Sequence, residues 1–507
     1  MVDEKNKRIA NNVIAIYLRM FISMIVSLYM SRIVLQVLGA SDYGIYVLVG
    51  GVVVMFSFLN NAIGGTTSRF INYAMGLKDD VYLKNTFRTA LLTHLIIALS
   101  VLILCETIGV WMLTNKLVIP GGRLLAAHVV MQFSILSMFI GILQGPFSAC
   151  IIAHEKMNVY AYVEILVVCL KLAVVYALLF LNLDKLVLYS LLVCLISIIS
   201  ITIYIYYSKK KFVEVSFIPL YKRDMLYPML SFSGWRFFGS LTDTFSAQGR
   251  NMILNLFYGT ILNAAAGLAS TIQGVIGGFA YNVMVPFRPQ IVICYAERNF
   301  SRMQFLIEKS FAISNILFFF IGVPVFFECD YLLSLWLVDV PDYTVPFVRI
   351  TLVVSILLNN YGFEGTIIGA SGNIKASQLC IGVTNIISLI ISYLLFMQGC
   401  DPIWMYYVTV FCCLIVLFVN FYLIKRYIPE LSLKSLFING FFKDMIILVC
   451  CIAILSQICI HMDPSILRMI VILASNSVIV GLGCYYLILT ESMRKLVVVK
   501  MKNCINE

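Results

Sequence analysis

The strongest constraint on this chain is a run of about twenty consecutive apolar residues that recurs about fourteen times, from 13–38 at one end to 467–490 at the other. A helix rises ~1.5 Å per residue, so each run is long enough to cross ~30 Å of hydrocarbon. Composition agrees: the 507 residues are 61% hydrophobic and 12% charged, whereas soluble domains are nearer ~45–50% and ~25%. Backbone groups in lipid are satisfied only within helices or closed barrels, and these runs are too long and continuous for barrel strands. The expected fold class is therefore an all-α polytopic membrane protein. The charged start, MVDEKNKR, leads into the first run without a small-residue cleavage site, and reads as a retained tail rather than a signal peptide.

With the amino terminus placed in the cytoplasm, one set of connections holds 26 of the 36 Lys and Arg, among them Lys209, Lys210, Lys211, Lys222 and Arg223. The opposite set holds five: Lys116, Arg123, Lys185, Arg349 and Arg468. This asymmetry predicts that both termini are cytoplasmic. It also accounts for most of the formal charge of +11 without invoking nucleic acid. One opposite-side connection is acidic, with Glu328, Asp330, Asp339 and Asp342. The fifteen cysteines are scattered through apolar runs and read as small buried hydrophobes. His94, His128, His154 and His461 are dispersed, so no metal cluster is expected. No connection is long enough for a catalytic domain. Those near 65–87, 208–227, 286–304 and 425–444 read as short interfacial helices. No intramembrane nucleophile with a base and no phosphate-binding glycine loop is evident, so the chain is not expected to be an enzyme.

The five remaining cations, Arg19, Arg32, Lys171, Arg236 and Arg250, lie inside spans, where a charge costs ~2.5–3.5 kcal/mol on insertion scales. Arg236, Asp243 and Arg250 follow one another at intervals of seven, which at ~100° per residue places them on one helix face. Several segments repeat at similar offsets. FSACIIAHEKMN from Phe147 pairs with FEGTIIGASGNI from Phe363 at an offset of 216, Arg19 with Arg236 at 217, Arg32 with Arg250 at 218, and Tyr73 with Tyr295 at 222. Two parallel six-span halves are inferred, 1–210 and 211–430, followed by two added helices and a tail in 431–507. Equivalent spans one and seven then become the expected walls of a central cavity.

Three segments carry a resemblance to a known family. They are VLGASDYGIYVLV at 37–49, GPFSACIIAHEKMNVYAYVEI at 145–165 and GTIIGASGNIKASQ at 365–378. Together with the span number and the duplication, they resemble the Wzx-type O-antigen and polysaccharide flippases of the multidrug/oligosaccharidyl-lipid/polysaccharide (MOP) superfamily. The resemblance implies two six-helix lobes around a cavity in the bacterial inner membrane. It further implies alternating-access transfer of undecaprenyl-pyrophosphate-linked repeat units for O-antigen or other surface polysaccharide synthesis. The partners are then a lipid-linked oligosaccharide and membrane lipids, not nucleic acid, with association with polysaccharide polymerase machinery as a further expectation. No cofactor is expected, though an H+ or Na+ gradient could bias the cycle.

On this reading Arg19, Arg32, Arg236 and Arg250 are the candidate cavity residues, because guanidinium suits bidentate contact with phosphate oxygens. Arg32 could equally snorkel to the interface. Asp243, Glu164 and Lys171 are candidates for ion coupling or for structural pairing, and the spacing does not choose. His94 could titrate or be simply hydrogen-bonded. Asn60, Asn61, Gln144, Gln248, Asn255 and Gln273 could bind sugar hydroxyls or join helices. Gly267, Gly274, Gly277 and Gly278 suggest tight packing or a hinge, and Pro146, Pro286 and Pro289 suggest helix ends. An organic-cation or multidrug exporter of the same superfamily is the closest rival, and would favour an acidic cavity. A peptidoglycan-precursor flippase would share the charge logic. An integral-membrane polysaccharide polymerase would require a large exterior loop that is absent from the sequence.

Overall fold

The computed structural model describes residues 57–488 apart from 116–118, 120–121, 181–183 and 337–339, together with scattered positions in 12–49 and Arg494. All regular structure among these residues is helical. Eleven helices are long and apolar enough to cross a membrane, and they coincide with eleven of the expected runs. The seventh run is also one continuous helix, Arg223–Tyr258, of 36 residues. Its charges together with its many Ser, Thr and Gly residues keep it out of the apolar set. The first two runs fall partly outside the described residues, so the number fourteen is not established.

By internal contacts the chain forms two compact units, 1–241 with 295–297 and 242–294 with 298–507. The first contains α1 (Ser57–Leu77), α2 (Asp80–Asn115), α3 (Leu124–Ala153), α4 (Met157–Ala177) and α5 (Lys185–Lys211). Its hub is α3, which packs against α1, α2, α4 and α5. Small buried side chains on α3, including Ala126, Ala127, Ala149, Cys150 and Ala153, allow that many neighbours to approach. Outward positions are apolar instead: Ile96, Leu99 and Ile103 of α2 are exposed at helical spacing, the stripe that lipid would cover.

α6 (Arg223–Tyr258) passes from the first unit into the second after Leu241. The second unit continues with α7 (Thr260–Tyr281), most of α8 (Met284–Ala296), α9 (Phe300–Phe327), α10 (Cys329–Trp336), α11 (Thr344–Ser371), α12 (Lys375–Met397) and α13 (Trp404–Tyr427). Here α11 is the hub, packed against α7, α9 and α13, while α12 packs on α13. Within each unit, then, the fourth span of the half contacts the second, third and sixth, and the fifth contacts the sixth. The additional helices α14 (Leu433–His461) and α15 (Ile466–Ile488) pack on each other and on α9.

Two expectations about local structure are corrected. Residues 65–77 continue α1, and 212–222 are non-helical, so neither is a separate interfacial helix. Pro146 and Pro289 lie inside helices, not at their ends. Proline removes one backbone donor, which a span tolerates when a neighbour satisfies the freed carbonyl. Pro146 frees the carbonyl of Ile142, four residues earlier, and His94 Nδ1 of α2 lies 2.7 Å from it.

Candidate functional site

In the second unit, Asp243 and Arg250 both line a cavity of about 290 Å³. Their separation of seven places them two turns apart on the same face of α6. The opposite walls come from α7, α11, α12 and α13, with Gln273, Thr351, Asn385, Tyr406 and Thr409 supplying amide and hydroxyl groups. Asp243 Oδ1 accepts a hydrogen bond from Asn385 Nδ2 at 2.8 Å. Arg250 Nη1 donates to Ser246 Oγ at 2.8 Å. Neither makes an ion pair with the other or with any other described residue. The two charges are thus held by neutral neighbours and share a polar cavity. Gly249, beside Arg250, lets α12 approach, because a Cβ there would lie 2.8 Å from Leu389 Cδ1.

The glycines of α7 have a different role from the tight packing considered above. A Cβ on Gly274 or Gly278 would meet nothing within 4 Å. With Gly277, Gln273, Ser355 and Asn359 they line an open space of about 510 Å³. Gln248 and Asn255, with Asn251 and Asn263, line a third cavity of about 570 Å³. Gln144 instead joins helices, accepting from Ser200 Oγ at 2.9 Å.

In the first unit, the Arg19 guanidinium lies over the Tyr160 ring at 5.3 Å. Tyr204 donates to Glu164 Oε1 at 3.2 Å. Glu164 is therefore engaged with a tyrosine and not with Lys171, which makes no ion pair among the described residues; seven positions separate them by ~10 Å along the helix. Arg236 lies over Phe232 at 5.6 Å, beside Gly65 of α1. Arg69 lies over the same ring at 5.6 Å and over Phe70 and Tyr73 at 4.6 and 5.1 Å. Sequence reasoning placed Arg69 in a connection; the aromatic residues at 70 and 73 were its only local signal. Arg32, and the side chains of Asn60 and Asn61, lie outside the described residues.

His94 is fully buried and hydrogen-bonded through both nitrogens. Ile142 O can only accept, so Nδ1 carries a proton, and Nε2 pairs with Thr67 Oγ1 at 2.8 Å. With both ring nitrogens spent inside the helix bundle, His94 is a structural residue.

Within the segment VLGASDYGIYVLV at 37–49, the Asp42 carboxylate accepts from Arg123 Nε at 3.0 Å, and Arg123 also binds Asp184 at the start of α5. Tyr46 packs edge-on against Tyr189, with centroids 5.0 Å apart. Asp42 and Tyr46 thereby reach the start of α3 and the side of α5.

Residues 9–292 match the sequence profile of a family described as polysaccharide biosynthesis protein, which is more than half of the chain. Among solved structures, a MATE point mutant superposes with a TM-score of 0.72 at 15% identity, covering 83% of this chain and 97% of that one. An outward-facing multidrug resistance MATE family transporter of the MOP superfamily gives 0.71 at 14% identity, with 84% and 96% covered. A MOP superfamily transporter from Pyrococcus furiosus, described as having a binding pocket of reversed polarity, gives 0.65 at 13%, with 82% and 96% covered. These likenesses establish a MATE-like fold. The curated proteins contain no sequence match.

Proposed function

Because the chain belongs to the polysaccharide biosynthesis protein family, we propose that it translocates lipid-linked oligosaccharides across the bacterial inner membrane by alternating access. Family and fold together support a multi-pass transporter of the MOP superfamily; the substrate is our inference. The observation that carries it is Arg250, a guanidinium inside a membrane-embedded helix bundle that opens into a polar cavity with Ser246 rather than a carboxylate as its close partner. A guanidinium has five donors, and one bond to Ser246 leaves others for phosphate oxygens. Amide and hydroxyl walls suit sugars. At about 290 Å³ the cavity is at the small end of ligand sites, ~300–1,000 Å³. It fits the phosphate-bearing end of such a ligand better than a whole repeat unit. Asp243, held by Asn385 in the same cavity as Arg250, would disfavour over-tight anion binding, and release is as necessary as capture.

The test is leaflet-resolved accumulation of labelled undecaprenyl-pyrophosphate sugars in cells depleted of the protein, then restored with wild type or Arg250→Ala. Depletion should trap the label in the cytoplasmic leaflet, and wild type should release it. Normal translocation under depletion would refute the flippase reading. Full rescue by Arg250→Ala would remove that residue's role alone.

A further inference from the structure

The end of α3 carries a polar cluster that lines none of the cavities described above. Cys150 and His154 are one helical turn apart and therefore lie on one face. Glu214 returns to them from the non-helical stretch after α5. Its Oε1 lies 2.6 Å from His154 Nε2 and 3.2 Å from Cys150 Sγ. One ligand atom from each residue falls within 4.8 Å of the others. Cys150 is fully buried and the Glu214 side chain is 5% exposed, while the imidazole of His154 keeps 26% of its surface. Phe212 stacks flat on that imidazole, with centroids 4.1 Å apart and planes 12° apart, and fixes its orientation.

We propose that Cys150, His154 and Glu214 bind a divalent ion of the Zn2+ class, clasping the 212–222 segment to the end of α3. Thiolate, imidazole and carboxylate form a mixed donor set that suits a borderline-soft ion, and three protein ligands leave a fourth position for water. The partly exposed face of His154 provides access. With Zn–S of ~2.3 Å and Zn–N and Zn–O of ~2.0–2.2 Å, tetrahedral geometry sets N···O near ~3.4 Å and S···O near ~3.6 Å. The present separations are shorter by less than about 1 Å, a gap that side-chain rotation can open. Without metal, one carboxylate oxygen accepts from both other groups. With metal, the Cys150 thiol and the His154 Nε2–H each release a proton to solvent, Nδ1 takes one up so that the imidazole stays neutral, and all three groups turn to the ion; no electron is transferred.

The experiment uses the full chain in detergent, stripped of metal by a chelator and titrated with Co2+ as a spectroscopic probe. One equivalent should give a thiolate-to-Co2+ charge-transfer band and intense tetrahedral visible bands, both displaced by Zn2+. Cys150→Ser should abolish the charge-transfer band. His154→Gln and Glu214→Gln should each weaken Zn2+ binding at least about tenfold. A second measurement needs no variant: Zn2+ should slow tryptic cleavage at Lys222 of the wild type several-fold. No charge-transfer band in the wild type, a band that survives in Cys150→Ser, or cleavage unaffected by Zn2+ would overturn the proposal.

Discussion

At the scale of single residues, two prolines show how this chain keeps polar backbone inside an apolar environment. Pro146 frees Ile142 O for His94, and Pro324 inside α9 frees Phe320 O, to which Asn476 Nδ2 of α15 donates at 3.2 Å. An unsatisfied buried acceptor costs ~1–3 kcal/mol. His94→Leu should therefore destabilise the protein by about that amount, and by less in a Pro146→Ala background, where the restored N–H can reach Ile142 O. Thermal unfolding of the four variants in detergent measures the coupling; strict additivity would refute the account. Gly145 belongs to the same unit of design, since a Cβ there would lie 2.3 Å from His94 Cε1. None of this was legible from a lone histidine in an apolar run. The proline was visible, but the partner of its freed carbonyl is 48 residues away.

At the scale of elements, the glycines of α7 keep space open, and the few cations on the acidic side are largely neutralised. Gly274→Ala meets no steric obstacle and should favour the helix by up to ~1 kcal/mol, yet it narrows the cavity it lines. Unchanged or raised thermal stability with reduced translocation is the expected result; destabilisation would restore the packing interpretation. At the junction of α9 and α15, Glu328 receives Arg468 through bonds of 2.8 and 3.0 Å, with the carboxylate 1% and the guanidinium 9% exposed. Glu328→Gln should cost about 3–5 kcal/mol, the penalty for leaving one buried charge unpaired, seen as a lower melting temperature. Arg349 pairs with Asp330 in the same region. The more exposed Arg123 hydrogen-bonds Asp184 and holds its carboxyl below the usual range, against a smaller opposing effect of burial. A depressed carboxylate pKa contributes stability that is complete above ~pH 4 and is lost as pH falls through the lowered native value. For this partly exposed pair the contribution is under about 1 kcal/mol. Asp184→Asn should therefore melt slightly below wild type at pH 7, with the difference narrowing below pH 4.

At the scale of the whole molecule, each compact unit repeats one packing scheme around a hub helix, α3 in one and α11 in the other. The added pair α14–α15 is tied into the second unit by polar contacts as well as apolar ones. Asn315 Nδ2 of α9 donates to Asp444 Oδ2 of α14 at 2.9 Å, and Asn359 of α11 donates to Asn315 Oδ1 at 3.2 Å. Asn315→Leu leaves the Asp444 carboxylate without that donor and should loosen α14 from α9, raising hydrogen exchange in α14 more than in α3. An equal rise in both would show that the pair is not a separable stability element.

Hydropathy and spacing along the chain were enough to fix the helical class, most of the span positions and the presence of charge inside α6. Both are local quantities carried by consecutive residues. They did not determine the partners of those charges. Asp243 meets Asn385, 142 positions away, and Arg123 meets Asp42 and Asp184, 81 and 61 away. Cys150, His154 and Glu214 likewise converge only because the chain after α5 turns back on α3. Such contacts depend on which helix faces pack together, and only the tertiary structure decides that.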